Sequence, residues 1–142
     1  VVIDETLTVT GATPLTGAVT ATAGLQSGAA AIIATDTGAT TGKIAAGTRY
    51  ATVNCDGDTA HILVLPTLVV GNIINIYFGA TGCNLRTPAG SNVKINGVDA
   101  DGTNQLAIAA TSLVTATAVA TGEWIVSAVD EVGAAITPLT PA

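Results

Sequence analysis

The sequence predicts an all-β protein, with a β-sandwich or jelly-roll-like core and extended N- and C-terminal arms. Three observations carry that expectation. Apolar residues alternate with period two in NIINIYF, NVKINGV and GEWIVSAV, as they do along half-buried strands. Turn signals separate such runs by about 8 to 12 residues, the spacing of sandwiches and barrels rather than of alternating strands and helices. The apolar 49% of the chain is only 3% aromatic, so it lies in Ala, Val, Ile and Leu. Side chains that small bury little area each, at roughly 25 cal/mol per Å² removed from water, so burial between copies would add to the stability of a single chain. One domain plus arms fits a length of 142 residues.

VVIDETLTVT opens the chain with Val1, Ile3, Leu7 and Val9 on one face and Asp4, Thr6, Thr8 and Thr10 on the other, a half-buried strand interrupted by Glu5. From Gly11 the composition shifts to Gly, Ala and Thr, and only AVTATAGL and AAIIAT alternate. Flat strands of low bulk choose register weakly and often find it against another chain. Residues 1–41 are therefore expected to be an N-terminal strand and arm that packs on a neighbouring copy.

The core is expected over residues 42–129. Tyr50, Thr52 and Asn54 alternate against Ala51, Val53 and Cys55, and Asp56-Gly57-Asp58 makes a turn. Ile62 to Leu65 is apolar on both faces, so it should lie between two layers and stop at Pro66, which cannot donate a ladder bond. Gly71-Asn72 precedes NIINIYF, where Ile74, Ile76 and Phe78 share a face. A strand at Asn84 to Thr87 and a turn at Pro88 to Ser91 follow. Asn96-Gly97 tolerates the positive φ of a tight hairpin. LAIAATSLVTATAVA has the Ala content of a helix, but its Thr and Val residues and missing charges favour strands. In GEWIVSAV, Trp124, Val126 and Ala128 share a face. Residues 130–142, with Pro138 and Pro141, read as an extended tail. No tandem repeat stands out.

Charged residues make up 10% of the chain, which predicts a neutral, Thr-rich solvent face. Four Lys and Arg against ten Asp and Glu give a net charge of −6, which opposes direct contact with nucleic acid. No apolar run approaches the roughly 20 residues of a membrane-spanning helix, and the first residues do not read as a signal peptide. No membrane partner is expected.

No catalytic constellation is legible, and no enzymatic activity and no cofactor are expected. His61 is the single histidine, and Cys55 lies six positions away across a turn. Asp56 with Asp58, or Asp99 with Asp101 and Asn104, offer oxygen ligands to a hard cation, but neither has the spacing of a calcium loop, and Asp beside Gly also simply makes turns; no metal site is assigned. Trp124 suits a core anchor better than a sugar platform. Arg49, Arg86 and Lys94 are too sparse for a basic patch and suit rim pairs with a neighbouring subunit. Cys55 and Cys83 either form one bridge or remain buried thiols.

Residues 48–128 resemble a β-module of tailed-bacteriophage structural proteins, among them capsid decoration (cement) proteins, head fibres and tail-fibre segments. The resemblance is carried by the order of Leu65-Pro66, Gly71, Asn96-Gly97 and Trp124. Val98 stands where the module often has a second Gly, and the loop from Asp99 to Asn104 is unusually acidic. The resemblance implies a trimeric virion protein without by itself choosing capsid or tail; the expected function is that of a homotrimeric decoration protein on the outer capsid surface, bridging capsomers by contact with the major capsid protein. On that reading Val1, Ile3, Leu7, Val9, Ile136 and Leu139 in the two arms are the expected subunit or capsid contacts. A receptor-binding fibre module and a secreted adhesin are the other functions the sequence admits.

Overall fold

The computed structural model describes residues 29–34, 42–102, 104–136 and 140–142. Ten strands form two sheets: β1 Ala29–Ile33, β2 Tyr50–Asn54, β3 Ile62–Val64, β4 Ile73–Phe78, β5 Cys83–Arg86, β6 Lys94–Ile95, β7 Val98–Asp99, β8 Leu106–Ile108, β9 Leu113–Ala120 and β10 Glu123–Val129. The larger sheet has the order β1-β2-β4-β9-β10-β6-β7 and the smaller one β3-β5-β8. Among the described residues there is no helix. The architecture is the expected β-sandwich.

The first half of the sandwich is wound rather than folded back in hairpins. β1, β2 and β4 are parallel neighbours in the large sheet, while β3 and β5 are parallel neighbours in the small one. Lys43 adds a parallel bridge to Val64. The chain therefore passes alternately from one sheet to the other and advances one strand per turn, a little over twenty residues each time. No repeat is visible in the sequence because the stacked segments AAAII, YATVN and IINIYF share only an inward apolar face, and the loops between them differ. The second half is antiparallel: β9 pairs with both β4 and β10, and β8 with β5.

Alternation decides what faces inward. Ala51, Val53, Ile74, Ile76, Phe78, Val114, Ala116, Ala118, Trp124, Val126 and Ala128 are buried from the large sheet, against Leu63, Leu85, Leu106 and Ile108 from the small one. Large and small side chains alternate across the strands: Trp124 stands beside Ala118, and Ile74 and Val126 flank Ala116. The small residues leave the volume that Trp124 and Phe78 occupy, which is how a core with few aromatics reaches close packing. β3 is buried along its whole length, as its two apolar faces predict.

Both predicted tight turns form. Asn96 and Gly97 have φ of 50° and 85° between Ile95 and Val98, a two-residue hairpin of the left-handed type. Asp56 and Gly57, at 46° and 76°, close a turn in which the Asp58 amide donates to the Cys55 carbonyl at 3.0 Å. LAIAATSLVTATAVA divides into β8 and β9, both strands.

The structure places two parts of the expected arms in the body. Ala29–Ile33 is a strand of the large sheet, with Ile32 and Ala34 buried, although it falls within the 1–41 segment. In the tail, the Ile136 amide donates to the Ala128 carbonyl at 2.9 Å, and Gln105 and Ala142 exchange backbone hydrogen bonds. The isolated sequence of these pieces is too bland to reveal partners that the winding supplies.

One glycine is required by close approach. A Cβ on Gly82 would meet the carbonyl oxygen of Ile108 inside its van der Waals envelope and lie 2.7 Å from the carbonyl carbon of Ala109. Gly82→Ala must push β5 and β8 apart, and it is expected to cost about 1 to 3 kcal/mol. Urea unfolding followed by circular dichroism reads this as a lower midpoint; an unchanged midpoint would show that the two strands separate freely.

Candidate functional site: an uncharged sheet face

Residues that alternate with the core form the outer face of the large sheet, which over β1, β2, β4, β9 and β10 is uncharged, with Glu123, Lys94 and Asp99 grouped at its β6–β7 corner. The register sets them in rows: Ala31, Thr52, Tyr77, Leu113 and Val129; Ala29, Tyr50, Asn75, Thr115 and Ser127; and Ile73, Thr117 and Ile125. None of these thirteen residues carries a charge, in a chain whose net charge is −6. Tyr50, Tyr77, Ile73, Leu113 and Ile125 are large hydrophobic residues left exposed. Thr115 Oγ1 donates to Asn75 Oδ1 at 3.0 Å, tying β9 to β4 at the centre of the face. Five strands spaced about 4.8 Å apart and three rows deep give an area of roughly 400 to 500 Å². This is the size of a functional patch on a monomer and well under the roughly 800 Å² per partner of a stable pairwise interface.

A shallow groove of about 430 Å³ runs along one side of this face, lined by Ile33, Thr52, Asn54 and Tyr77 among others. The neutral, Thr-rich character was legible in the composition. The apolar members of the face were not, because sequence alternation marks Ile73, Tyr77 and Ile125 as outward without saying that β4, β9 and β10 would set them side by side.

The polar residues singled out in the sequence serve local structure. His61 Nδ1 donates to the Cys55 carbonyl at 2.9 Å, and its Nε2 lies 3.9 Å from Asp58 Oδ2. Cys55 and Cys83 are joined in a disulfide, with Cα atoms 5.9 Å apart, so neither sulfur is a free nucleophile. Asp99, Asp101, Gly102 and Asn104 surround a cavity of about 130 Å³. Their carboxylates hold backbone amides: Asp99 Oδ1 accepts from Asp101 N at 3.1 Å and Asp101 Oδ2 from Asn92 N at 2.6 Å. Among the described residues no three His, Cys, Asp or Glu side chains converge as a metal site.

Trp124 is fully buried and belongs to the core rather than to a surface platform. Of the expected contact residues, Ile136 packs partly buried against the core, while Val1, Ile3, Leu7, Val9 and Leu139 lie outside the described residues. One residue does more than its turn position announced. The Asn96 side chain accepts from Val126 N at 2.8 Å and donates to Val126 O at 2.9 Å, acting as an extra peptide group that extends the pairing of β6 with β10.

Comparison of the chain with protein-family models, with curated proteins and with solved structures gives no match.

Proposed function

We propose that the protein is a structural component of a bacteriophage virion, a homotrimeric decoration (cement) protein that binds the major capsid protein on the outer surface of the head and bridges capsomers. The observation that carries this reading is the uncharged face of β1, β2, β4, β9 and β10. A neutral patch of modest area offers weak contacts that become strong only when symmetry repeats them, which is what a protein spread over a lattice requires. The buried disulfide supports a working life outside a reducing cytosol. The resemblance over residues 48–128 supports a place on a virion, and the capsid surface is part of the proposal.

The reading is tested by Thr115→Lys, which sets a charge at the centre of the face and removes the hydrogen bond to Asn75 at a cost to the fold of about 0.5 to 1.5 kcal/mol, with circular dichroism confirming that the variant stays folded. The dissociation constant for isolated heads, read from occupancy counted by cryo-electron microscopy over a range of protein concentrations, should rise at least about tenfold, the result of roughly 1.4 kcal/mol lost. Unchanged occupancy, or density for this chain only on a tail, overturns the reading.

A receptor-binding fibre module is favoured by one feature, the half-exposed Tyr50 and Tyr77 flanked by Thr52, Asn54 and Asn75. Flat aromatic rings beside amide and hydroxyl groups suit a neutral glycan. Binding of a host surface glycan that Tyr77→Ala abolishes would establish it.

A further inference from the structure

We propose that the two ends of the sandwich form a complementary pair, so that one copy of the chain docks end to end on a second copy. The proposal needs neither a virion nor the uncharged face.

Strand direction defines the ends. β2, β4, β6 and β10 all begin at one end of the large sheet, and β9 finishes there. β3 and β5 start at the opposite end, where the disulfide joins Cys55 just after β2 to Cys83 at the start of β5. The charges are segregated along this axis. All four Lys and Arg residues of the chain lie toward the first end: Arg49 just before β2, Lys94 at the start of β6, Arg86 at the close of β5, and Lys43 bridged to Val64. Asp99, Asp101 and Glu123 accompany them, and Lys94 pairs in register with Glu123 and Asp99. The opposite end holds Asp56, Asp58, Asp130 and Glu131, with no Lys or Arg among the described residues. One end is thus close to neutral with a cationic excess, and the other carries four carboxylates.

Shape follows the same division. At the acidic end, Val132 is 82% exposed, the most exposed large hydrophobic residue described. It sits on a braced turn: Asp130 Oδ1 accepts from Val132 N at 3.0 Å and from Ala134 N at 2.8 Å, and Gly133 N donates to Asp130 O at 3.0 Å. At the cationic end, Leu68, Val69, Val70 and Val93 line an apolar groove of about 500 Å³. Its loop is braced too, since Gly71 N donates to Ala118 O at 2.9 Å and Asn72 N to Val69 O at 3.0 Å. The groove shares Thr67 and Pro88 with a second one lined by Lys43 and Arg86.

A rigid apolar knob beside Asp130 and Glu131 on one copy therefore faces an apolar groove bordered by cations on the next. Neither side loses much conformational freedom on docking, which lowers the cost of association. Opposite charges flanking an apolar contact set its orientation and speed the encounter. Because unlike ends meet, the contact is heterologous: it repeats along a row or closes into a ring, depending on the rotation it imposes.

The test uses sedimentation velocity over a range of concentrations at ~50 mM and ~500 mM salt, where the screening length falls from above 10 Å to a few ångström. Self-association should weaken at the higher salt. Val132→Ser should raise the midpoint concentration about tenfold, the loss expected from one buried valine. Glu131→Lys should raise it and flatten the salt dependence. Orientation is read by mixing single variants Val132→Cys and Val69→Cys, the native cysteines being buried and bridged. A disulfide dimer should form in the mixture and far more slowly in either variant alone. A monomer at all concentrations, a midpoint unmoved by Val132→Ser, or equal cross-linking of Val132→Cys with itself overturns the proposal. A trimer that Val132→Ser leaves untouched also overturns it, while leaving the decoration reading standing.

Discussion

Trp124→Ala is expected to destabilise the protein by about 3 to 5 kcal/mol, a large share of the usual total of about 5 to 15 kcal/mol and enough to unfold much of the chain at room temperature only at the bottom of that range. The magnitude follows from the surroundings. Trp124 is fully buried, lies in register between Ala118 on β9 and Ile95 on β6, and is one of only two buried aromatic residues, with Phe78. The alanines around it have no volume with which to collapse into the space it vacates, so most of the cavity persists. Its Nε1 has no hydrogen-bond partner among the described residues. Trp124→Phe therefore removes volume without breaking a hydrogen bond, and it should recover more than half of the loss. Urea unfolding by far-ultraviolet circular dichroism measures both variants. A loss under about 1 kcal/mol for alanine would mean that the two sheets close over the gap.

Removing the disulfide is the second large effect. The bridge ties the end of β2 in the large sheet to the start of β5 in the small one, across a sequence separation of 28 residues. Closing a loop of that length restricts the unfolded chain by about 3 to 4 kcal/mol in the chain-entropy account. Cys55→Ala with Cys83→Ala is expected to lose that amount, less whatever the alanines regain in packing. The check is a pair of urea titrations with and without reductant. The wild-type midpoint should drop toward that of the double variant when reduction accompanies unfolding, and the double variant should ignore the reductant. Identical midpoints for all four samples would show that the bridge contributes nothing. Both cysteines are buried, so reduction of the folded protein should be slow and should follow its unfolding rate.

The two predictions rest on different kinds of knowledge. That Trp124 faces the core could be read from GEWIVSAV, since its alternation with Val126 and Ala128 is local. That Cys55 meets Cys83 could not, because bridging needs Cα atoms within a few ångström of one another and sequence separation does not report that distance. The uncharged face has the same character. Ile73, Asn75, Tyr77, Ile125 and Ser127 could be set opposite the core residues by alternation, yet Tyr50 and Thr52 became neighbours of Asn75 and Tyr77 only because β2 and β4 pair in parallel. Asn96 shows both sides at once: its left-handed turn was expected from Asn-Gly, whereas its two hydrogen bonds to Val126, thirty residues on, depend on β10 returning beside it.

The all-β class, most of the strand positions, their inward residues and the turns at Asp56-Gly57 and Asn96-Gly97 could be read from the residues alone. These are properties of short windows, set by the two-residue period of a strand and by the few residues that accept positive φ. The fold adds that the first half of the chain winds in parallel between two sheets. It also decided that Ala29–Ile33 joins the large sheet, that the cysteines meet, and that the carboxylates of Asp56 and Asp130 gather at the end away from the cations. Strand partners are chosen by burial across the whole chain, and a window of ten residues carries no record of what will lie beside it.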